Sequence, residues 1–135
     1  MYDSINLGEA FLIGLEAVKK ANSLKTNVSV SVINKYGTQI FFCKMDNALP
    51  ISEKMAFKKA HTSMLLQMPT EDVKKSIDES WYGLDTAMKG EIVMFGGGVP
   101  VFRNNEFVGA VGVSGSRNIE DDVLIAKTAA QVINN

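Results

Sequence analysis

Two apolar runs, residues 99–103 and 106–114, are separated only by Asn104-Asn105. A two-residue connection cannot carry a chain into a parallel neighbour, so these runs must pair antiparallel as a hairpin. An earlier stretch repeats the pattern. Over residues 27–33, Val28, Val30 and Val32 alternate with Ser29 and Ser31, which predicts a half-buried strand. Asn34-Lys35-Tyr36-Gly37 then reads as a turn, with Gly37 free to take positive φ, leading into a second strand from about Thr38 to Met45. Two ribbons joined by such short turns define an α+β chain, not a doubly wound parallel sheet. The hairpins are expected to join into one antiparallel sheet flanked by helices, a three-layer-like arrangement.

Helical patterns fill the remaining sequence. Asn6 is a candidate N-cap and Glu9 completes a capping box for a helix over 6–23. Its expected inward stripe is Leu7, Phe11, Gly14, Val18 and Ala21, with Ala10 and Ala17 beside it. Ser52 reads as the N-cap of a helix reaching about Gln67, with Ala56, Ala60 and Ser63 as a small-residue face and Lys54, Lys58 and Lys59 as a basic side. Pro69 ends it, and Thr70 caps a shorter helix. Residues 80–89 read as a loop or short helix, and 91–95 as a short apolar strand or approach segment. Asn118 caps a last helix with Glu120, Asp121 and Asp122 in its first turn, and Ile119, Val123, Ala126, Ala130 and Ile133 form its expected buried stripe.

Charge and cysteine usage narrow the function classes. The 135 residues suit a single domain with one core. Lys plus Arg total 14 against 15 Asp plus Glu, a net charge of −1 that provides no broad field for phosphate backbones, so no nucleic-acid partner is expected. Cys43 is the lone cysteine, so no internal disulfide ties the fold to an oxidising compartment. The start, residues 1–6, lacks a signal-peptide pattern, and no apolar run is long enough to span a bilayer. A cytoplasmic protein without a membrane partner is expected. Seven methionines, six of them between Met45 and Met94, serve either as adaptable core filler or as a soft apolar pocket.

Three segments carry a family resemblance. The first is Val30-Ser31-Val32-Ile33-Asn34-Lys35-Tyr36-Gly37 with Lys44-Met45-Asp46-Asn47-Ala48, Ser52 and Lys59-Ala60-His61-Thr62-Ser63. The second is Phe95-Gly96-Gly97-Gly98-Val99-Pro100-Val101. The third is Val108-Gly109-Ala110-Val111-Gly112-Val113-Ser114-Gly115, followed by Asp121-Asp122 and Ala126. Together they resemble the GlcG/HbpS-like family, which includes the C-terminal domain of PduO-type proteins. The resemblance implies a profilin-like fold and a homo-oligomer, often an octamer. It also implies a small-molecule ligand, which is heme in some relatives; others are encoded beside glycolate or propanediol pathways. Asn34, Lys44 and Asn47 stand where the family often has Asp, Arg and Gly. The adenosyltransferase domain preceding the PduO-type version has no counterpart in this sequence, so that activity does not transfer.

The ligand-binding candidates are Met45, Asp46, Lys58, His61, Gly96, Gly97, Gly98, Pro100, Ser114 and Gly115. No residue is assigned a catalytic role. His61, the single histidine, becomes a metal ligand only if heme binds, as an axial ligand; otherwise it is an ordinary helix residue. Asp46 reads as a turn-stabilising residue that also falls in the family motif. Gly96-Gly97-Gly98 serves either a tight crossing into a strand or a close backbone approach to a ligand. Gly109-x-x-Gly112-x-x-Gly115 lacks dinucleotide spacing and reads as a surface for close packing of a helix or a neighbouring subunit. Backbone N–H groups of 114–116 could hold a carboxylate at a helix entry. Cys43 reads as a small buried hydrophobe. The leading expectation is a ligand-binding accessory protein, with heme or a related tetrapyrrole as its ligand. The alternatives are an accessory protein or enzyme acting on a small organic acid, diol or aldehyde, and a purely structural assembly protein.

Overall fold

In the computed structural model, which describes residues 2–76 and 83–134, α1 spans Leu7–Ser23, β1 Ser29–Asn34 and β2 Gln39–Lys44. Helix α2 (Ile51–Leu66) leads through a 3-10 turn at Thr70–Asp72 to the short helices α3 (Val73–Ser76) and α4 (Leu84–Ala87). Strands β3 (Gly98–Arg103) and β4 (Glu106–Ser114) precede α5 (Ile119–Ala130). The loop or short helix expected over 80–89 is helical at Leu84–Ala87, while 80–82 lie outside the described residues. Segment 91–94 forms no strand and is tied to α2, where the Val93 N–H donates to Thr62 Oγ1 at 2.9 Å.

All four strands form one antiparallel sheet in the order β2-β1-β4-β3. Both turns follow from their side chains. Asn34 Oδ1 accepts the N–H groups of Tyr36 and Thr38, each at 3.0 Å, and Gly37 takes φ +88°. Asn104 and Asn105 adopt φ of 52° and 67°, the left-handed pair of a two-residue hairpin turn. Pro100 sits in edge strand β3, where its missing N–H costs no ladder bond.

Helices cover both faces. Helices α1 and α5 pack on one, burying Val28, Val30, Val32, Val101, Val111 and Val113 against Ala10, Ile13, Ala17, Ile125 and Ala129. Helix α2 lies on the other, over Ile33 and Ala110. Strand β1 is therefore buried along its whole length, not half-buried as its alternation predicts. Its serines find partners under α2: Ser29 Oγ lies 2.8 Å from Ser52 Oγ, and Ser31 Oγ donates to Gln39 Oε1 at 2.6 Å.

Capping follows the sequence at two helices and departs from it at a third. Asn6 and Glu9 form the reciprocal box on α1, and Asn118 Oδ1 accepts the Asp121 N–H at 2.9 Å. Helix α2 instead begins one residue before Ser52, with Pro50 at the cap position, and the Ser52 hydroxyl donates back to the Leu49 carbonyl at 2.6 Å. Glu9 has a further role: Arg103 grips its carboxylate with two N–H groups at 2.9 and 2.6 Å and donates to the Tyr2 and Ser4 carbonyls. The guanidinium beside it holds the Glu9 carboxyl below the ordinary carboxylate range.

Two expected stripes are rotated. In α1 the small residues Ala10, Gly14, Ala17 and Ala21 face inward with Ile13, whereas Leu7, Phe11, Leu12 and Leu15 stand exposed. In α5 the inward face is Asp122, Ile125, Ala126, Ala129 and Ala130, and Ile119 is exposed. The cause is distance. Gly14 meets the Phe41 ring, so small residues fill the α1 face where it comes closest, with Ile13 beside them; on the other face Gly112 meets the Ala56 carbonyl and the Ala60 N–H of α2. Gly112 therefore serves packing within the chain, not a subunit contact. A methyl group there would displace the α2 backbone, because a strand glycine under a helix has no soft neighbour to yield. Gly112→Ala should lower stability by about 3 kcal/mol, the upper end of overpacking effects, read as a reduced denaturant midpoint at unchanged slope.

Candidate functional site

Helix α2 organises the most chemically distinctive groups. Lys59 projects from it beneath the Gly96–Gly98 segment and is 1% exposed. Its ammonium donates to the Val113 carbonyl at 2.9 Å and to Asp122 Oδ2 at 3.1 Å, and sits 5.3 Å from the centre of the Phe95 ring. The other Asp122 oxygen accepts the Ser116 N–H at 3.1 Å. One buried ion pair thus links α2, the end of β4 and the start of α5. The basic side expected from Lys54, Lys58 and Lys59 is split: only the first two reach solvent. The signal was present in the spacing, since Lys59 falls between Ala56, Ala60 and Ser63 on the inward face.

This pair explains the glycines. Gly97, at φ +123°, packs against the Lys59 side chain and the Val113 carbonyl, and Gly98 lies on the Lys59 carbonyl. Gly96–Gly98 is buried at the entry to β3. Ser114 is buried at the end of β4. The N–H of Ser116, a candidate anion holder, is taken by the chain's own Asp122.

Two clefts flank α2 and share Lys58. The first, of about 340 Å³, lies between β2 and α2 and is lined by Gln39, Phe42, Glu53, Lys54, Phe57 and Lys58. His61 is half-buried one turn beyond Phe57, its ring stacked on the Phe57 ring at 5.5 Å and 14°. The second, also about 340 Å³, is lined by Met55, Lys58, Asp85, Ile92, Met94 and Phe95 among others. Lys58 itself donates to the Gly90 carbonyl at 3.2 Å. A third cleft, of about 320 Å³, lies at the other end of the sheet and includes Gly115.

The candidate residues therefore do not converge. Lys58 and His61 share a face of α2, Gly96–Gly98 and Ser114 surround the buried pair, and Pro100 is a strand residue. Met45 packs on the main core with its sulfur accepting the Val28 N–H at 3.4 Å, and Asp46 is exposed. The methionines divide between both readings, since Met45 and Met64 fill core while Met55 and Met94 line a cleft. Cys43 is half-buried against the main core, and burial pushes its thiol pKa up, away from nucleophilic character.

A sheet enclosed by helices on both faces, with open clefts along α2, defines the class: a mixed α+β domain suited to holding a small ligand. Residues 5–131 match the family model described as haem degrading protein HbpS-like. The chain is 33% identical over 133 residues to the corrinoid adenosyltransferase PduO of Citrobacter freundii, covering 97% of this chain and 39% of that protein. It is 38% identical over 127 residues to a 15.0 kDa protein of the Citrobacter freundii dhaT-dhaS intergenic region, covering 87% and 89%. Among solved structures, the PduOC:heme complex superposes with a TM-score of 0.89 at 31% identity, covering 97% of this chain and 96% of that one. The chain belongs to the HbpS-like family. It spans well under half the length of the adenosyltransferase it matches.

The buried pair yields a thermodynamic prediction. Burial pushes the Lys59 amine below its ordinary pKa of 10.5, and Asp122 opposes that shift. The unfolded chain then binds this proton more tightly than the folded chain, so the Lys59 contribution grows more favourable as pH rises from the depressed value toward 10.5. Lys59→Met should cost about 3–5 kcal/mol by leaving a buried carboxylate alone, and adding Asp122→Leu should restore most of it. Denaturant melts across alkaline pH check both, with wild type gaining on Lys59→Met over that interval.

Proposed function

We propose that the chain binds a flat, largely apolar ligand of the heme type, with carboxylate groups, in the cleft between β2 and α2. The carrying observation is the chemistry gathered there. The Phe42 and Phe57 rings offer apolar surface, Lys54 and Lys58 offer cations in a lining that also holds Gln39 and Glu53, and His61, just outside that lining, stacks on Phe57. Neither lysine has a carboxylate partner among the described residues. The donor set fits heme: lysines pair with propionates, aromatic side chains pack the macrocycle, and a histidine is an iron ligand. Heme held there would supply a redox-active iron. The PduOC:heme complex supports the reading, being an α+β domain of the same fold with heme bound.

Hemin added to the purified protein should produce a saturable Soret band. His61→Ala should shift or abolish that band, and Lys54→Glu with Lys58→Glu should weaken binding about tenfold or more. An identical titration in His61→Ala would remove that residue from the site.

The same reading places the chain in a homo-oligomer working in the cytoplasm. The surface we assign to self-association is the outward face of α1, where Leu7, Phe11 and Leu15 recur at helical spacing and are 60%, 49% and 58% exposed. Light scattering should give a mass above 14.7 kDa, reduced in the Leu7→Glu/Leu15→Glu variant without loss of helical content.

A further inference from the structure

The cleft at the opposite end of the sheet from the β1–β2 turn carries chemistry that the heme reading does not use. Its 320 Å³ is lined by Lys25, Thr26, Asn27, Asn47, Leu49, Gly115 and Arg117. These come from three separate connections: the one leaving α1, the one between β2 and α2, and the one between β4 and α5. Two cations and two amides converge there, with no carboxylate in the lining.

Neither cation has an acidic partner among the described residues. Among the described residues, every ion pair lies elsewhere: Lys35, Lys59, Lys75, Arg103 and Lys127 hold Asp3, Asp122, Asp72, Glu9 and Glu71. Asp122, the acidic residue of the α5 first turn closest to the buried network, is bonded to Lys59 and to the Ser116 N–H. Two unpaired positive side chains facing one concavity repel each other unless an anion joins them.

The backbone at both cations points the same way. Lys25 takes φ +55° just past the end of α1, the left-handed position that glycine or asparagine ordinarily fills. A lysine charge there complements the C-terminal end of the helix dipole, and the side chain also contributes to the cleft lining. Across the cleft, Gly115 takes φ +117° with the Asn27 carbonyl 3.1 Å and Ser52 Cβ 3.2 Å from where a Cβ would stand. Two residues on, Arg117 lines the same cleft as Lys25.

We infer that this cleft is a binding site for a small oxyanion-bearing molecule with hydroxyl groups, either a hydroxycarboxylate or a phosphate ester. Arg117 presents a fork that matches carboxylate or phosphate oxygens, and Lys25 adds a second charge. Asn27, Asn47 and Thr26 can donate to or accept from hydroxyl groups, which gives the site more than charge recognition. The volume is that of a small metabolite, at the lower end of the range for ligand pockets.

Titration calorimetry of the whole chain at constant ionic strength, with inorganic phosphate in one arm and malate in the other, tests this. Saturable binding of either supports the site and names its oxyanion. Lys25→Asn should weaken binding about tenfold, the loss of one charge-assisted hydrogen bond, while leaving the melting temperature unchanged or raised. Arg117→Gln should weaken it at least as much, and Lys19→Gln, at an exposed lysine outside the cleft, should not change it. Absence of saturation in both arms would overturn the inference, as would equal weakening in Lys19→Gln. Hemin binding at the β2–α2 cleft is expected to persist in both cleft variants.

Discussion

Everything on the α2 face of the sheet is set by one close approach, that of the α2 backbone to β4 at Gly112. The strand has no side chain at that position, so the helix rests on the sheet at the Ala56 carbonyl and the Ala60 N–H. Small groups, Ser29, Ser31, Ser52 and Ala110, fill the space beside this contact, and their hydroxyls find partners within the chain, Ser29 with Ser52 and Ser31 with Gln39. Larger side chains are displaced to the margins. Phe57 goes toward β2 and helps form a cleft, and Lys59 passes the end of β4 to reach Asp122.

The buried ion pair is a consequence of that geometry. A lysine on the inward face of a helix this close to a sheet cannot reach water sideways, so it follows the strand to its end. There it finds a carbonyl, a carboxylate and an aromatic ring. Desolvating both charges is expensive, and removing one alone would be worse than removing both. The pair therefore does more to fix position than to add stability. It sets the α5 start against the β4 end and holds Gly97 in its positive-φ crossing.

Much of this architecture was legible in the sequence. Two-residue and four-residue turns dictated antiparallel pairing, and Asn6, Glu9 and Asn118 cap as their positions predict. What the sequence did not disclose was depth. Alternation in β1 marks which residues share a face, but serine is equally at home in water and under a helix, so full burial could not be read from it. Likewise the apolar spacing of α1 identified a stripe without saying which side of it faced inward, and Gly14 and the alanines won because Phe41 lies so near. Of the site candidates, Lys58 and His61 share α2, Gly96–Gly98 lie about Lys59 and Thr70, Gly115 borders the far cleft and Met45 sits against the core. Lys59 falls at inward spacing with Ala56, Ala60 and Ser63, but the neighbouring Lys54 and Lys58 make the run read as one solvated face.

The distribution of cations then separates structure from recognition. Arg103 is held by Glu9 and two carbonyls, and Lys59 by Asp122 and Val113, so each charge is satisfied within the chain. Lys54 and Lys58 beside the aromatic cleft, and Lys25 with Arg117 at the far end, lack such carboxylate partners among the described residues. Other exposed lysines, such as Lys19, Lys74 and Lys89, also lack acidic partners among the described residues, so it is the placement of these four cations beside clefts that composition alone conceals. Both sets border concavities, and their surroundings differ: phenylalanine rings in one, amides and a threonine in the other. The flat apolar ligand we propose for the first cleft and the small hydroxylated anion we infer for the second each match the polarity of the lining they would meet.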